Sequence, residues 1–194
     1  EFRRVLFRSL FGRDITNLPA NQRARLGLAR TFQITNLFPR LSVTENLVLA
    51  FNALKDGRPP LLRPMRADTA LFERASALLD KWSLMEIAHL ATREISYGQQ
   101  RQVDLMLAMA GDPKVLLLDE PMAGLSAAEV VRVVGMIRDL PKEMTILMIE
   151  HDMDVAFELA DRVTVLHQGR KIVEGSPDQV KSHPRVTEIY LGTD

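Results

Sequence analysis

Val115-Leu-Leu-Leu-Asp119-Glu120-Pro121 is the stretch from which the rest of the chain is read. Four consecutive apolar residues leave no polar face, so as a strand this stretch is expected to be buried on both sides, as in a parallel sheet covered by helices. The strand then stops at two adjacent carboxylates. In an open parallel α/β sheet the ligand crevice lies outside the carboxyl ends of the strands, which is where Asp119 and Glu120 fall. Pro121 has no N–H to donate and ends the ladder. One carboxylate for a metal and one for a base, at the end of a parallel strand, is a layout that serves nucleotide hydrolysis. Taken alone, the stretch is explained equally well as a strand end with two solvated acids.

The preceding stretch, Ile95-Ser96-Tyr97-Gly98-Gln99-Gln100-Arg101-Gln102, separates these readings. Ser96 followed three residues later by Gln99 has the form of a capping box, which predicts a helix running toward Met109. Its first-turn N–H groups would point outward as an anion site, and Gly98 would let a phosphate approach the backbone. Capping explains Ser96 and Gln99 but not Gly98, which costs helix stability. Together with Asp119-Glu120-Pro121 downstream, these residues resemble the signature motif and Walker B strand of ATP-binding cassette (ABC) ATPases, in the right order and with a helix between them.

Composition sets the outer limits. At 194 residues the chain is long enough for one domain with a real core, burying about 70% of its unfolded surface. Hydrophobic residues make up 46% and charged residues 26%, ordinary values for a soluble globular protein. The zero net charge argues against broad attraction to nucleic acid or anionic lipid. Without cysteine there is neither a disulfide framework nor a thiolate metal site. No apolar run approaches the roughly 18 residues that span a bilayer. Membrane association is therefore expected only through a partner.

Glu1 to Ser9 reads as a non-native scar, since it lacks an initiating Met and Glu-Phe is what an in-frame EcoRI site encodes. From Leu10 the sequence reads as native, with a short helix from Asn21 to Leu26. Ala29-Arg30-Thr31-Phe32-Gln33 resembles the Q-loop of the ABC family. Ser42 and Glu45 form a capping box opening a helix through Leu47, Leu49, Ala50 and Leu54, and Gly57, Pro59, Pro60 and Pro64 break the next segment into a loop. Leu71, Ala75, Leu78, Leu79 and Trp82 recur at helical spacing as core residues. Residues from about Leu41 to Thr92 thus read as all-helical. The resemblance implies a helical subdomain over 41–110, counting the signature helix, whose surface with the Q-loop grips the coupling helix of a membrane subunit.

Beyond Pro121, Met122-Ala-Gly124-Leu-Ser126 matches the family's D-loop position, with Leu-Ser in place of the more frequent Leu-Asp. Ser126 and Glu129 cap a helix whose Val130, Val133, Val134 and Ile137 face the sheet. Thr145 to Ile149 is expected as a second buried strand, with Glu150-His151-Asp152 at its carboxyl end. Arg162 to His167 and Arg170 to Glu174 read as a hairpin around Gln168-Gly169, with His167 exposed at the turn. Ser176-Pro177-Asp178-Gln179 starts a C-terminal helix that His183-Pro184 interrupts. The core sheet is assigned to 111–175 and the C-terminal helix to 176–194.

The resemblance implies a P-loop NTPase-like α/β core with a mostly parallel sheet plus the helical subdomain. It also implies a head-to-tail dimer in which each ATP lies between one subunit's Walker motifs and the other's signature helix. Carried over, Asp119 holds Mg2+, Glu120 is the general base, Gln33 senses metal and γ-phosphate, and His151, as the switch histidine, stabilises the transferring phosphoryl group. Ser96, Tyr97, Gly98 and Gln99 contact the partner's ATP. A P-loop needs Gly-x-x-x-x-Gly-Lys-Ser/Thr, and no Gly-Lys pair occurs anywhere in the chain. The expectation is an N-terminally truncated ABC ATP-binding domain over 10–194, inactive alone.

Ser96-Tyr-Gly-Gln-Gln-Arg101, Ile149-Glu-His-Asp-Met153 and Pro184-Arg-Val-Thr-Glu-Ile-Tyr-Leu-Gly192 are similar to the ATPase subunits of branched-chain amino acid importers. Urea-importer and lipopolysaccharide-exporter ATPases share the tail and much of the core. The implied partners are permease subunits, a second ATPase subunit and, indirectly, a substrate-binding protein, at the cytoplasmic face of the cell membrane. Two readings from other classes stand beside this one. One is a non-catalytic module that only docks on a membrane partner. The other is a metal-dependent hydrolase with Asp119, Glu120, His151 and Asp152 as ligands.

Overall fold

The structure, a computed structural model, describes residues 9–31, 37–53 and 68–191. It opens with a small antiparallel pair, β1 (Ser9–Leu10) and β2 (Arg13–Asp14), in which Ser9 pairs with Asp14. Of the expected scar, residues 1–8 lie outside the described residues. The helix α1 (Ala20–Arg25) leads into β3 (Leu28–Arg30). Next come α2 (Val43–Ala53) and α3 (Thr69–Lys81), and then α4 (Tyr97–Met109). The expected loop around Gly57, Pro59, Pro60 and Pro64, and Leu54 before it, lies outside the described residues.

Local capping explains where these helices begin. Ser42 N donates to Glu45 Oε2 at 2.9 Å while Glu45 N donates to Ser42 Oγ at 3.1 Å, and the same reciprocal pair joins Ser96 and Gln99 at α4. Asp68 caps α3 by accepting from Leu71 N. The apolar positions recognised by helical spacing fall inside: Leu71, Ala75, Leu79 and Trp82 are buried, with Leu78 packed against them.

The parallel sheet has the order β3-β4-β5, with β4 at Val115–Asp119 and β5 at Thr145–Ile149. Leu116 lies opposite Ala29 and Ile146, and Asp119 opposite Ile149. The helix α5 (Ala127–Arg138) makes the crossover from β4 to β5. Leu116 and Leu118 share one continuous core with Val103 and Met106 of α4, with Val133 and Ile137 of α5, and with Val43, Leu47 and Leu79 of α2 and α3.

Burial corrects one expectation. Along β4 only alternate residues are buried, Leu116 and Leu118, while Val115, Leu117 and Asp119 are half-buried. On β5 Leu147 is 48% and Ile149 59% exposed. The side chains of a strand alternate between faces, and among the described residues the helices of the common core cover one face of this sheet. The strand Val115–Asp119 and its neighbour are thus not buried on both sides as the apolar run suggested.

Beyond β5 the helix α6 (Met153–Leu159) leads to the hairpin β6 (Val163–His167) and β7 (Arg170–Gly175). The tail comes next as α7 (Pro177–Lys181), α8 (Pro184–Val186) and a π turn, Thr187–Leu191, broken at His183-Pro184 as expected. Val165, Val180 and Val186 form a small second core here. His167 is not simply exposed: it is half-buried, with the Tyr190 ring edge-on at 6.5 Å, and Tyr190 Oη donates to Leu166 O at 2.7 Å. Among the described residues no helix is long and apolar enough to cross a membrane.

Candidate functional site

The carboxyl ends of three parallel strands lie side by side. Arg30 ends β3, Asp119 ends β4, and Glu150 comes directly after β5. Arg30 Nη2 donates to Asp119 Oδ2 at 3.0 Å, a pair linking residues 89 apart in sequence. Glu120 then leaves the ladder with φ 46°, a left-handed conformation that costs a non-glycine residue about 1 kcal/mol or more. Its N–H still donates to Ile149 O at 2.9 Å, so the backbone of the turn is tied to the neighbouring strand. His151 Nδ1 lies 3.8 Å from Glu120 Oε1, beyond hydrogen-bond length but within ion-pair reach.

Glu150, which no motif assigned a role, joins the two strand ends. Its Oε1 accepts from Met122 N at 3.1 Å and its Oε2 from His151 N at 3.3 Å. The turn after Glu120 is thereby tied to the residue carrying His151. Asp152 is committed elsewhere: it caps α6 by accepting from Asp154 N and Val155 N. Among the described residues no three His, Cys, Asp or Glu side chains cluster to hold a metal ion, so the four-ligand hydrolase reading does not fit.

The second group of expected residues lies at the start of α4. Ser96 and Gln99 bond each other's backbone, and the Arg101 guanidinium sits over the Tyr97 ring at 5.1 Å from its centroid. The space beside Gly98 is not open: a Cβ built there would overlap the Glu129 carboxylate of α5. Glu129 Oε2 accepts from Ser126 N at 2.9 Å and Ser126 Oγ at 2.7 Å. Arg101 and Asp104, buried on α4, line a small cleft with Thr31, Leu118 and Pro121. A charged pair at i and i+3 within the run toward Met109 was the available sign of them. Thr31 N donates to Leu117 O at 3.0 Å, so the chain leaving β3 is still laddered where it enters the stretch containing Gln33. Gln33 itself lies outside the described residues.

The structure thus places Asp119, Glu120 and His151 at adjacent strand ends, and packs Tyr97 against Gly124 and Gly98 against Glu129 at the start of α5. Comparison with known proteins shows the family. Residues 8–123 fit the family model of the ABC transporter, and residues 170–194 fit that of the branched-chain amino acid ATP-binding cassette transporter. The high-affinity branched-chain amino acid transport ATP-binding protein LivG of Salmonella typhimurium is 36% identical over 189 residues, covering 93% of this chain and 73% of LivG. The lipopolysaccharide export system ATP-binding protein LptB of Acidithiobacillus ferridurans is 31% identical over 181 residues, covering 93% and 71%. A crystal structure of a nucleotide-free ATP-binding cassette from an ABC transporter superposes with a TM-score of 0.75 at 28% identity, over 94% of this chain and 75% of the other. On the family model, the relatives and the shared fold, this chain belongs to the ATP-binding family of ABC transporters.

Proposed function

We propose that the chain is part of an ATPase subunit that drives uptake of branched-chain amino acids. It works as a head-to-tail dimer beneath transmembrane permease subunits at the cytoplasmic face of the membrane, with a substrate-binding protein delivering the cargo. The observation that carries the ATPase reading is the meeting of Asp119, Glu120 and His151 at the ends of β4 and β5. The cargo class is supported by the match of residues 170–194 to the branched-chain family model, together with the higher identity to LivG, 36%, than to LptB, 31%. In this reading 41–110 is the helical part that meets the permease, 111–175 carries the core strands β4 and β5 and the β6-β7 hairpin, with β3 of the sheet supplied from Leu28–Arg30, and 176–194 is the tail.

Asp119 suits a hard divalent cation: it is a half-buried carboxylate, and its Oδ2 already pairs with a cation, Arg30. ATP would supply the phosphoryl group, and Mg2+ held at Asp119 would offset its charge. Glu120 takes the proton of the attacking water, its carboxylate projected from a backbone held by Ile149 O. His151, whose N–H donates to Glu150 Oε2, would stabilise the transferring phosphoryl group. On the family resemblance, Gln33 would be a further residue sensing the metal and the γ-phosphate. Ser96, Tyr97, Gly98 and Gln99 present the first turn of α4 to the partner's nucleotide. No Gly-Lys pair is present to cradle the β- and γ-phosphates, so the 194-residue chain alone turns over no ATP.

A chimaera tests this reading. LivG's own N-terminal segment, fused ahead of Leu10, is expressed in a strain lacking LivG, and ATP turnover and leucine uptake are both measured. Turnover with uptake is expected. Turnover without uptake removes the cargo assignment, and loss of both removes the catalytic one.

A further inference from the structure

The cleft between the end of β3 and α4 reaches Leu118, one residue before Asp119, and the proposed chemistry makes no use of it. Its walls are apolar at Leu105, Leu118 and Val133 and polar at Thr31, Arg101 and Asp104. The three polar residues are deeply buried: Thr31 is 6%, Arg101 5% and Asp104 8% exposed. The backbone of Thr31 is satisfied, since its N–H donates to Leu117 O at 3.0 Å. Its buried hydroxyl, by contrast, has no hydrogen-bond partner among the described residues. A hydroxyl shut away from water without a partner is costly, and Val would give the same shape without that cost.

The size and the chemistry of the cleft answer this together. It leaves about 10 Å3 open to the centre of a water molecule, enough for one. A cavity with apolar walls alone stays dry, whereas a water is held where roughly two to four polar groups surround it. Here a hydroxyl can both donate and accept, a carboxylate offers several lone pairs, and a guanidinium offers several N–H donors. Arg101 and Asp104 therefore have capacity for a water beside the contacts they already make, of which the Arg101 stack on the Tyr97 ring is one.

We propose that this cleft is a binding site for one ordered water, which joins the Thr31 hydroxyl to the Asp104 carboxylate and so ties the end of β3 to α4. The site itself needs nothing from the proposed function. Its use there does rest on that function, because Thr31 lies two residues before Gln33 and α4 is the helix set against the partner's nucleotide. A bridging water can lengthen and remake its hydrogen bonds, so the tie holds while α4 shifts.

High-resolution crystals of the 194-residue chain test the site directly. Density is expected for a water within hydrogen-bond length of both Thr31 Oγ1 and an Asp104 carboxylate oxygen. A dry cleft, or a Thr31 hydroxyl bonded directly to another side chain, overturns the proposal. Thr31→Ser keeps the hydroxyl and should keep the water, whereas Thr31→Val keeps the shape and should lose it. A water that stays in the Val variant is not held by Thr31 and also overturns the proposal. Urea unfolding gives a reading that needs no crystal. Loss of a bridged hydroxyl should raise the unfolding constant of Thr31→Val roughly two- to tenfold, while loss of an unpartnered one would lower it, against the proposal. Where the Val variant does not fold, the wild-type and Ser crystals decide. No nucleotide is used, so this test and the chimaera's turnover fail independently.

Discussion

Arg30 and Asp119 form an ion pair at 3.0 Å across the ends of two parallel strands, at the position where the proposed function calls for a divalent cation. The guanidinium and the metal would compete for one carboxylate. Both side chains are partly exposed, so the pair contributes little to folding, about 0–1 kcal/mol. In the LivG chimaera, Arg30→Gln should lower the Mg2+ concentration for half-maximal turnover by up to about fivefold and leave stability within about 1 kcal/mol. A Mg2+ titration that does not move removes Arg30 from the competition.

Glu120→Gln in the same chimaera keeps the shape of the side chain and loses its basicity. ATP binding, measured with a fluorescent analogue, should persist while turnover falls by about 10²-fold or more. Turnover near that of the parent would exclude Glu120 as the base.

Glu150→Ala removes the acceptor for Met122 N and His151 N without touching the strands. The expected cost is about 1–3 kcal/mol in urea denaturation, together with a mobile turn after Glu120. Unchanged stability would mean that water replaces the carboxylate at both amides.

One-sided burial of the sheet predicts a contrast between neighbouring strands. Leu118→Ala should cost about 2–5 kcal/mol, because Leu118 is buried in the main core, whereas Leu147→Ala on the open face should cost under about 1 kcal/mol. Equal costs, compared by thermal melts, would contradict the open face.

Glu174 is held below the usual carboxylate range by hydrogen bonds from Lys171 and Arg162 and by their charges. A lowered folded-state value means stability is fully present above the unfolded value, about 4.3, and is lost as pH falls through the folded value. The melting temperature should therefore drop below about pH 4, and Glu174→Gln should flatten that limb.

What was legible in the sequence was local. Ser42 with Glu45, Ser96 with Gln99 and Ser176 with Gln179 are three apart, so their caps and helix starts could be read directly. Asp119, Glu120 and His151 were legible because each ends a recognisable strand. The pairing of Arg30 with Asp119, the tie from Glu150 to Met122 and the seat of Glu129 on Gly98 join residues far apart in the chain, and no spacing rule announces them. The apolar run at Val115 misled for a related reason. Apolar residues show that a strand tolerates burial on both faces, but what covers each face is decided by elements elsewhere.

Leu117, Leu147 and Ile149 lie on the same open side of the sheet, and this bears on how the chain behaves at the bench. An apolar strip on a flat parallel sheet binds whatever apolar surface it meets first: a plastic wall, a hydrophobic dye, a chaperone or another copy. Ammonium sulfate strengthens such contacts, so early salting-out and a recovery that varies with concentration and vessel are the expected behaviour.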